Sequence, residues 1–203
     1  MKRNSEYSIK DQVIGAVRKL GIARPRDIAT RKMPSSYLHR LAKEGVLERV
    51  GRGLYRIAGE EISERQSLAE ACKRVPRGVI CLLSALQFHE ITTQNPFEVW
   101  IAIGIKTWRP TIDYPPLKIV RFSGAALEQG IITKDVDGVT VRVYDAAKTV
   151  ADCFKYRNKI GLDVALEALR EYRRQRRSMD ELWRYAEICR VAKGMRPYME
   201  ALP

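Results

Sequence analysis

Ser35, Ser36, His39, Arg40 and Lys43 lie on the side opposite an apolar stripe of Tyr37, Leu38 and Leu41. At helical spacing they form a row of hydroxyl, imidazole, guanidinium and ammonium groups that faces away from a core. Donors of this kind on an exposed helix can reach base edges in the major groove of DNA, and phosphates beside it. Arg52 stands between Gly51 and Gly53, so a cation is expected at the tip of a tight turn, where it can enter the narrower, more negative minor groove. A second polar row, Lys148, Asp152, Lys155 and Lys159, lies opposite Ala147, Val150, Ala151 and Phe154. It is expected to be largely exposed, either as a solvated ion-paired face or as an effector-binding surface.

Other reactive side chains are poorly placed for catalysis. The sequence has no G-x-S-x-G, no P-loop and no G-x-G-x-x-G. It also has no Glu-x-Lys pair of the kind a metal-dependent nuclease would use. Ser84 and His89 are separated by five positions on one predicted helix, which does not aim a base at a nucleophile. Cys72, Cys81, Cys153 and Cys189 include no C-x-x-C pair, and only two histidines could help them bind zinc. They read as partly buried free thiols in a reducing cytoplasm. No cofactor, no metal and no catalytic set is expected, and the chain reads as a non-enzyme.

The donor row needs elements to hold it. Ser8-Ile-Lys-Asp11 resembles a capping box and opens a helix carrying Val13, Ile14, Val17 and Leu20, which Gly21 ends. Pro25 starts a second short helix, and Pro34 to Glu44 is the third. The extended runs 46–50 and 54–57, joined by Gly51-Arg52-Gly53, read as a hairpin. Helix, helix, turn, helix, hairpin is the order of a winged helix-turn-helix. Beyond Ala58-Gly59-Glu60-Glu61, the candidate linker, the pattern becomes mixed. A capping box at Ser63–Gln66 opens a helix, and residues 79–89 read as a short strand running into another. Strands follow at 97–103 and 117–122, then a hairpin about Asp137-Gly138. Helices begin at Asp145, Asp163 and Ser178, and a last one covers 195–202. The fold class expected is α+β: an N-terminal winged helix-turn-helix, residues 1–58, followed over 59–203 by a mixed α/β domain with a helical tail.

Charge supports that division. The 203 residues carry a formal net charge of +13, and residues 1–58 alone, with 14 Lys/Arg and five acids, carry +9. A concentrated basic segment is the footprint of a polyanion binder. No run approaches the ~20 apolar residues of a membrane span, and the N-terminus lacks the apolar stretch of a secretory signal. A cytoplasmic protein with no membrane partner is expected.

Longer segments carry a family resemblance. Residues 79–103, 117–131 and 141–169, above all Ala147-Lys-Thr-Val-Ala-Asp-Cys-Phe-Lys-Tyr-Arg157, resemble the AbiEi family, as does the ending 195–202. Pro34-Ser-Ser-Tyr-Leu-His-Arg-Leu41 and 47–57 are similar to its front half. These are antitoxins and transcriptional regulators of bacterial abortive-infection, type IV toxin–antitoxin, systems. The resemblance implies a repressor whose winged helix binds inverted repeats in its own promoter, with self-association on DNA. It also implies a neighbouring nucleotidyltransferase-like toxin opposed without a stable complex. Two alternatives stay open: a nucleic-acid-modifying enzyme targeted by its winged helix, and a free-standing repressor with no toxin.

Overall fold

The first helix, α1 (Ile9–Leu20), starts where Ser8 Oγ accepts from the Asp11 amide at 3.2 Å and stops at Gly21, whose φ is +59°. Its Val13 and Val17 are fully buried. α2 (Pro25–Ala29) is opened by Asp27, whose carboxylate accepts from the Arg24 amide at 3.0 Å. α3 (Ser36–Lys43) follows, two residues shorter at its start than the sequence pattern suggests, with Ser35 at its N-cap. Strands β1 (Leu47–Gly51) and β2 (Leu54–Ile57) pair antiparallel, Leu47 opposite Ile57, with a bulge between Arg49 and Gly51. An antiparallel bridge from Ala23 to Tyr55 adds a short third line to this hairpin, with amide–carbonyl bonds of 2.8 and 3.0 Å. Val13, Val17, Ile28, Leu38, Leu41, Leu47 and Tyr55 close one core beneath these elements. Each such aliphatic side chain contributes about 1.5–3 kcal/mol on burial.

Residues 8–60, 63–112 and 114–201 are described in this computed structural model. Glu61 of the expected linker and Leu202 of the expected last helix lie outside them. Described residues up to Lys73, with Asp135–Thr140, form one compact unit; Arg74–Lys134, with those from Val141 onward, form the other. The first unit takes in most of α4 (Gln66–Arg74), beyond residue 58, and side-chain bonds show why. Arg24 Nη1 donates to the Lys73 carbonyl at 2.6 Å, and Arg56 Nη1 donates to Gln66 Oε1 at 3.0 Å. Ser63 does not cap α4 as its box pattern suggests; its hydroxyl donates to Asp137 Oδ2 at 2.5 Å.

The second unit is built on a five-stranded sheet in the order β5-β4-β3-β7-β6, apart from the β6–β7 turn and the strand ends beside it, 135–140, which belong to the first. Its strands are β3 (Val79–Ile80), β4 (Val99–Gly104), β5 (Leu117–Phe122), β6 (Ile131–Val136) and β7 (Val139–Tyr144). β3 runs antiparallel to β4 and parallel to β7, and β4 runs parallel to β5. Trp100, Ala102, Val120 and Phe122 point to one face, which packs in one core with residues of α5 (Leu82–Phe88), α7 (Ala146–Lys155), α9 (Leu162–Arg174) and α10 (Met179–Ile188). The helix expected from Asp145 to Arg157 breaks at Tyr156 into α7 and α8 (Arg157–Ile160). The last helix, α11 (Ala192–Ala201), begins three residues earlier than its sequence pattern indicates. The described chain is therefore mixed α and β.

Candidate nucleic-acid interface

α3 presents the two faces that its spacing requires. Leu38 and Leu41 are 1% and 0% exposed, whereas Ser36, His39, Arg40 and Lys43 face solvent and Ser35 is half-buried at the N-cap. Arg52 is exposed at the hairpin tip, next to Gly53 with φ +71°. All six residues of the proposed contact set belong to the first unit. Two neighbours control Arg40: Tyr37, read in the sequence as part of the apolar stripe but only half-buried, and Glu44, not singled out there. The Arg40 guanidinium lies 4.0 Å from the centre of the Tyr37 ring and 3.5 Å from Glu44 Oε1. Both contacts follow from i−3 and i+4 spacing on a helix, so the signal was present. Glu44 in turn accepts from Lys10 Nζ at 2.7 Å, and that bond holds its carboxyl below the usual range.

Other cations of the first unit are engaged in structure. Arg24 forks onto Asp27 with bonds of 3.0 and 2.8 Å, and Lys73 Nζ lies 3.7 Å from the same carboxylate. Burial opposes ionisation of Asp27, but the Arg24 bonds and the Lys73 charge outweigh it and keep its pKa below the ordinary value. Arg56 is paired with Glu48. Arg26, Arg31, Lys32 and Arg49 are exposed, with Arg31 donating to the Asp27 carbonyl and Arg49 to the Gly51 carbonyl.

The row through Lys148 requires a correction. Lys155 and Lys159 are exposed, but Lys148 and Asp152 are both 0% exposed and form an ion pair at 2.5 Å. The expectation assumed that α7 has a solvent side. It has none over 146–154, because α5, α9 and α10 pack around it. The Lys148 ammonium sits 4.2 Å from the Tyr144 ring centre and 4.9 Å from that of Phe122, and Cys189 Sγ donates to Asp152 Oδ1 at 3.2 Å. Burial pulls the Asp152 pKa up against the opposing pull of Lys148, and it raises the Cys189 thiol to about 12. An inert thiol and a fully enclosed ion pair hold a core together; they offer nothing to a substrate in solvent. His89 is likewise positional, with Nε2 2.7 Å from the Tyr144 carbonyl, and Ser84 Oγ accepts from the Trp100 amide at 2.9 Å. Among the described residues no cluster of three His, Cys, Asp or Glu could hold a metal ion, and no helix is long and apolar enough to cross a membrane.

Comparison with known proteins bears on the same segment. No curated protein matches the chain. Residues 16–58 match the family model described as a transcriptional regulator, AbiEi antitoxin. The match runs from within α1 to just past β2, so it contains α2, α3, the hairpin and all six residues of the contact set. Over these residues the chain is similar to the AbiEi antitoxin family of transcriptional regulators.

Proposed function

We propose that the chain is a sequence-specific, double-stranded-DNA-binding repressor of its own operon and the antitoxin of a type IV toxin–antitoxin pair. In this reading residues 1–58 are a winged helix-turn-helix, with α3 in the major groove and the β1–β2 hairpin as the wing. The observation that carries it is α3 itself: a helix closed on one side by Leu38 and Leu41 that turns Ser36, His39, Arg40 and Lys43 to solvent. The Ala23–Tyr55 bridge, which ties the chain between α1 and α2 to the hairpin, supports the winged arrangement. Residues 59–203 would act as the antitoxin and effector domain, with self-association on inverted repeats. Its partner would be a nucleotidyltransferase-like toxin, opposed without a stable complex. Lys155 and Lys159 are the members of the second row left to contact an effector.

The test is fluorescence anisotropy of the full chain on a duplex from the promoter of its own gene and on random duplex, over a range of salt. Specific repressors bind their sites about 10³–10⁷-fold tighter than random DNA. Equal affinity for the two duplexes would refute the reading.

A further inference from the structure

Six large hydrophobic side chains stand exposed among the described residues, and four of them, Phe97, Ile105, Trp108 and Tyr114, fall within the stretch around β4 and the β4–β5 connection. Scattered apolar residues on a surface need no explanation, but a group of this kind marks a contact site. Because β4 and β5 run parallel, the chain must return from the end of one to the start of the other, and the described residues between them, 105–112 and 114–116, include no helix. Val120 and Phe122 face the core, so Leu117, Ile119 and Arg121 point to the opposite side. The return segment lies over Leu117 and Ile119 and encloses with them an open cleft of about 410 Å³, edged by Trp108, Arg109 and Ile112. Arg121 fixes the base of this arm: its Nη1 donates to the carbonyls of Gly104, Ile105 and Thr107 at 2.9, 2.8 and 2.9 Å. Trp108, next after that anchor, is 89% exposed.

The charges around this indole decide what covers it. Lys106 and Arg109 flank Trp108, both exposed, and the stretch 97–122 carries a net charge of +2. An apolar protein surface laid over Trp108 would desolvate both cations without partners. A nucleic-acid strand meets all the requirements: a base offers a face to the indole, and its phosphates lie within reach of the flanking cations. The strand must be single, since in a duplex both faces of an internal base are already stacked.

We propose that the arm around Trp108 binds single-stranded nucleic acid, with a base stacked on the indole over the Leu117–Ile119 cleft and the backbone held by Lys106 and Arg109. This site lies wholly in the second unit and does not depend on the α3 reading.

The full chain is titrated with a short unstructured oligothymidylate, following anisotropy and tryptophan emission. Trp100 is buried and Trp183 half-buried, so stacking should quench mainly Trp108. Trp108→Ala should weaken oligothymidylate binding about five- to hundredfold, the range found for loss of one stacked base. Trp108→Phe should keep most of the affinity and lose the quench. Arg109→Ala should lower the salt slope by about 0.7, one phosphate contact on a single strand. All three variants should bind random duplex within about twofold of the parent, which separates this site from the α3 face. The proposal is overturned if the parent does not bind oligothymidylate, if saturation leaves its emission unchanged, or if Trp108→Ala binds as tightly as the parent. A Trp108→Ala protein that sediments as a smaller species at unchanged oligothymidylate affinity would instead make the arm an interface between copies, and would also overturn it.

Discussion

Arg40 provides the sharpest test of the proposal that the first unit binds DNA. A bidentate arginine–guanine contact discriminates by about 1–3 kcal/mol. Arg40 does not start free, because Glu44 lies 3.5 Å from its guanidinium. An exposed i,i+4 pair is worth about 0.3–0.5 kcal/mol, and giving it up reduces the net gain on DNA by that amount. The Tyr37 ring, 4.0 Å away, adds about 0.5–1 kcal/mol if the guanidinium must leave it as well. Arg40→Ala should therefore cost about 1–2 kcal/mol on the operator, a five- to thirtyfold loss, and far less on random duplex. Glu44→Gln should act in the opposite direction, releasing Arg40 and removing an anion that would face phosphate. About a twofold gain on both duplexes is expected from the released pair alone. Arg52→Ala, at the hairpin tip, should weaken both duplexes alike and lower the salt slope by about one unit. Anisotropy titrations of the three variants on both duplexes at several salt concentrations measure all of these. Equal losses for Arg40→Ala on operator and random DNA would refute base reading by Arg40. Weaker operator binding by Glu44→Gln would refute the view that Glu44 competes for it.

Two further outcomes follow from the buried charges. Lys148→Met leaves Asp152 enclosed without its cation and should lower stability by about 3–5 kcal/mol in urea titration, whereas Lys148→Met with Asp152→Leu should recover most of the loss; a single variant as stable as the parent would refute the enclosed pair. Asp27 has a folded pKa below its ordinary value, so its contribution to stability is complete above the ordinary Asp range and is lost as pH falls through the folded pKa. Asp27→Asn should therefore be less stable than the parent at neutral pH, with the gap closing below about pH 4 in thermal melts; a gap that widens on acidification would give the shift the wrong sign.

The first unit was legible because its determinants are local. Ser8, Gly21, Pro25 and the Gly51-Arg52-Gly53 turn mark the ends of elements by short-range backbone chemistry. Leu38 and Leu41 set the buried side of α3 by period alone. The Ala23–Tyr55 bridge and the Arg24–Asp27–Lys73 group were not legible, because they join positions separated by up to 49 residues. Ser63 illustrates the same limit from the other side: its oxygen accepts locally from the Arg65 amide at 3.3 Å, while its proton goes to Asp137, 74 residues away, in a 2.5 Å bond that no local pattern shows.

In the second unit the error at Lys148 is informative about what helical periodicity measures. A polar residue every third or fourth position marks a distinct face, and on a helix packed from one side that face meets water. On a helix surrounded by others, the same spacing lets an ammonium and a carboxylate one turn apart neutralise each other inside the core. Asp152 and Lys148 are such a pair, and the rings of Tyr144 and Phe122 complete the ammonium's enclosure from β7 and β5. Pattern therefore identified the pair but not its surroundings, which depend on α9 and α10 arriving later in the chain. Lys155 and Lys159, beyond Phe154 where the tight packing ends, are the positions at which the polar spacing does reach solvent. A functional surface on this part of the unit must be built from them and their exposed neighbour Arg157, not from the buried half of the row.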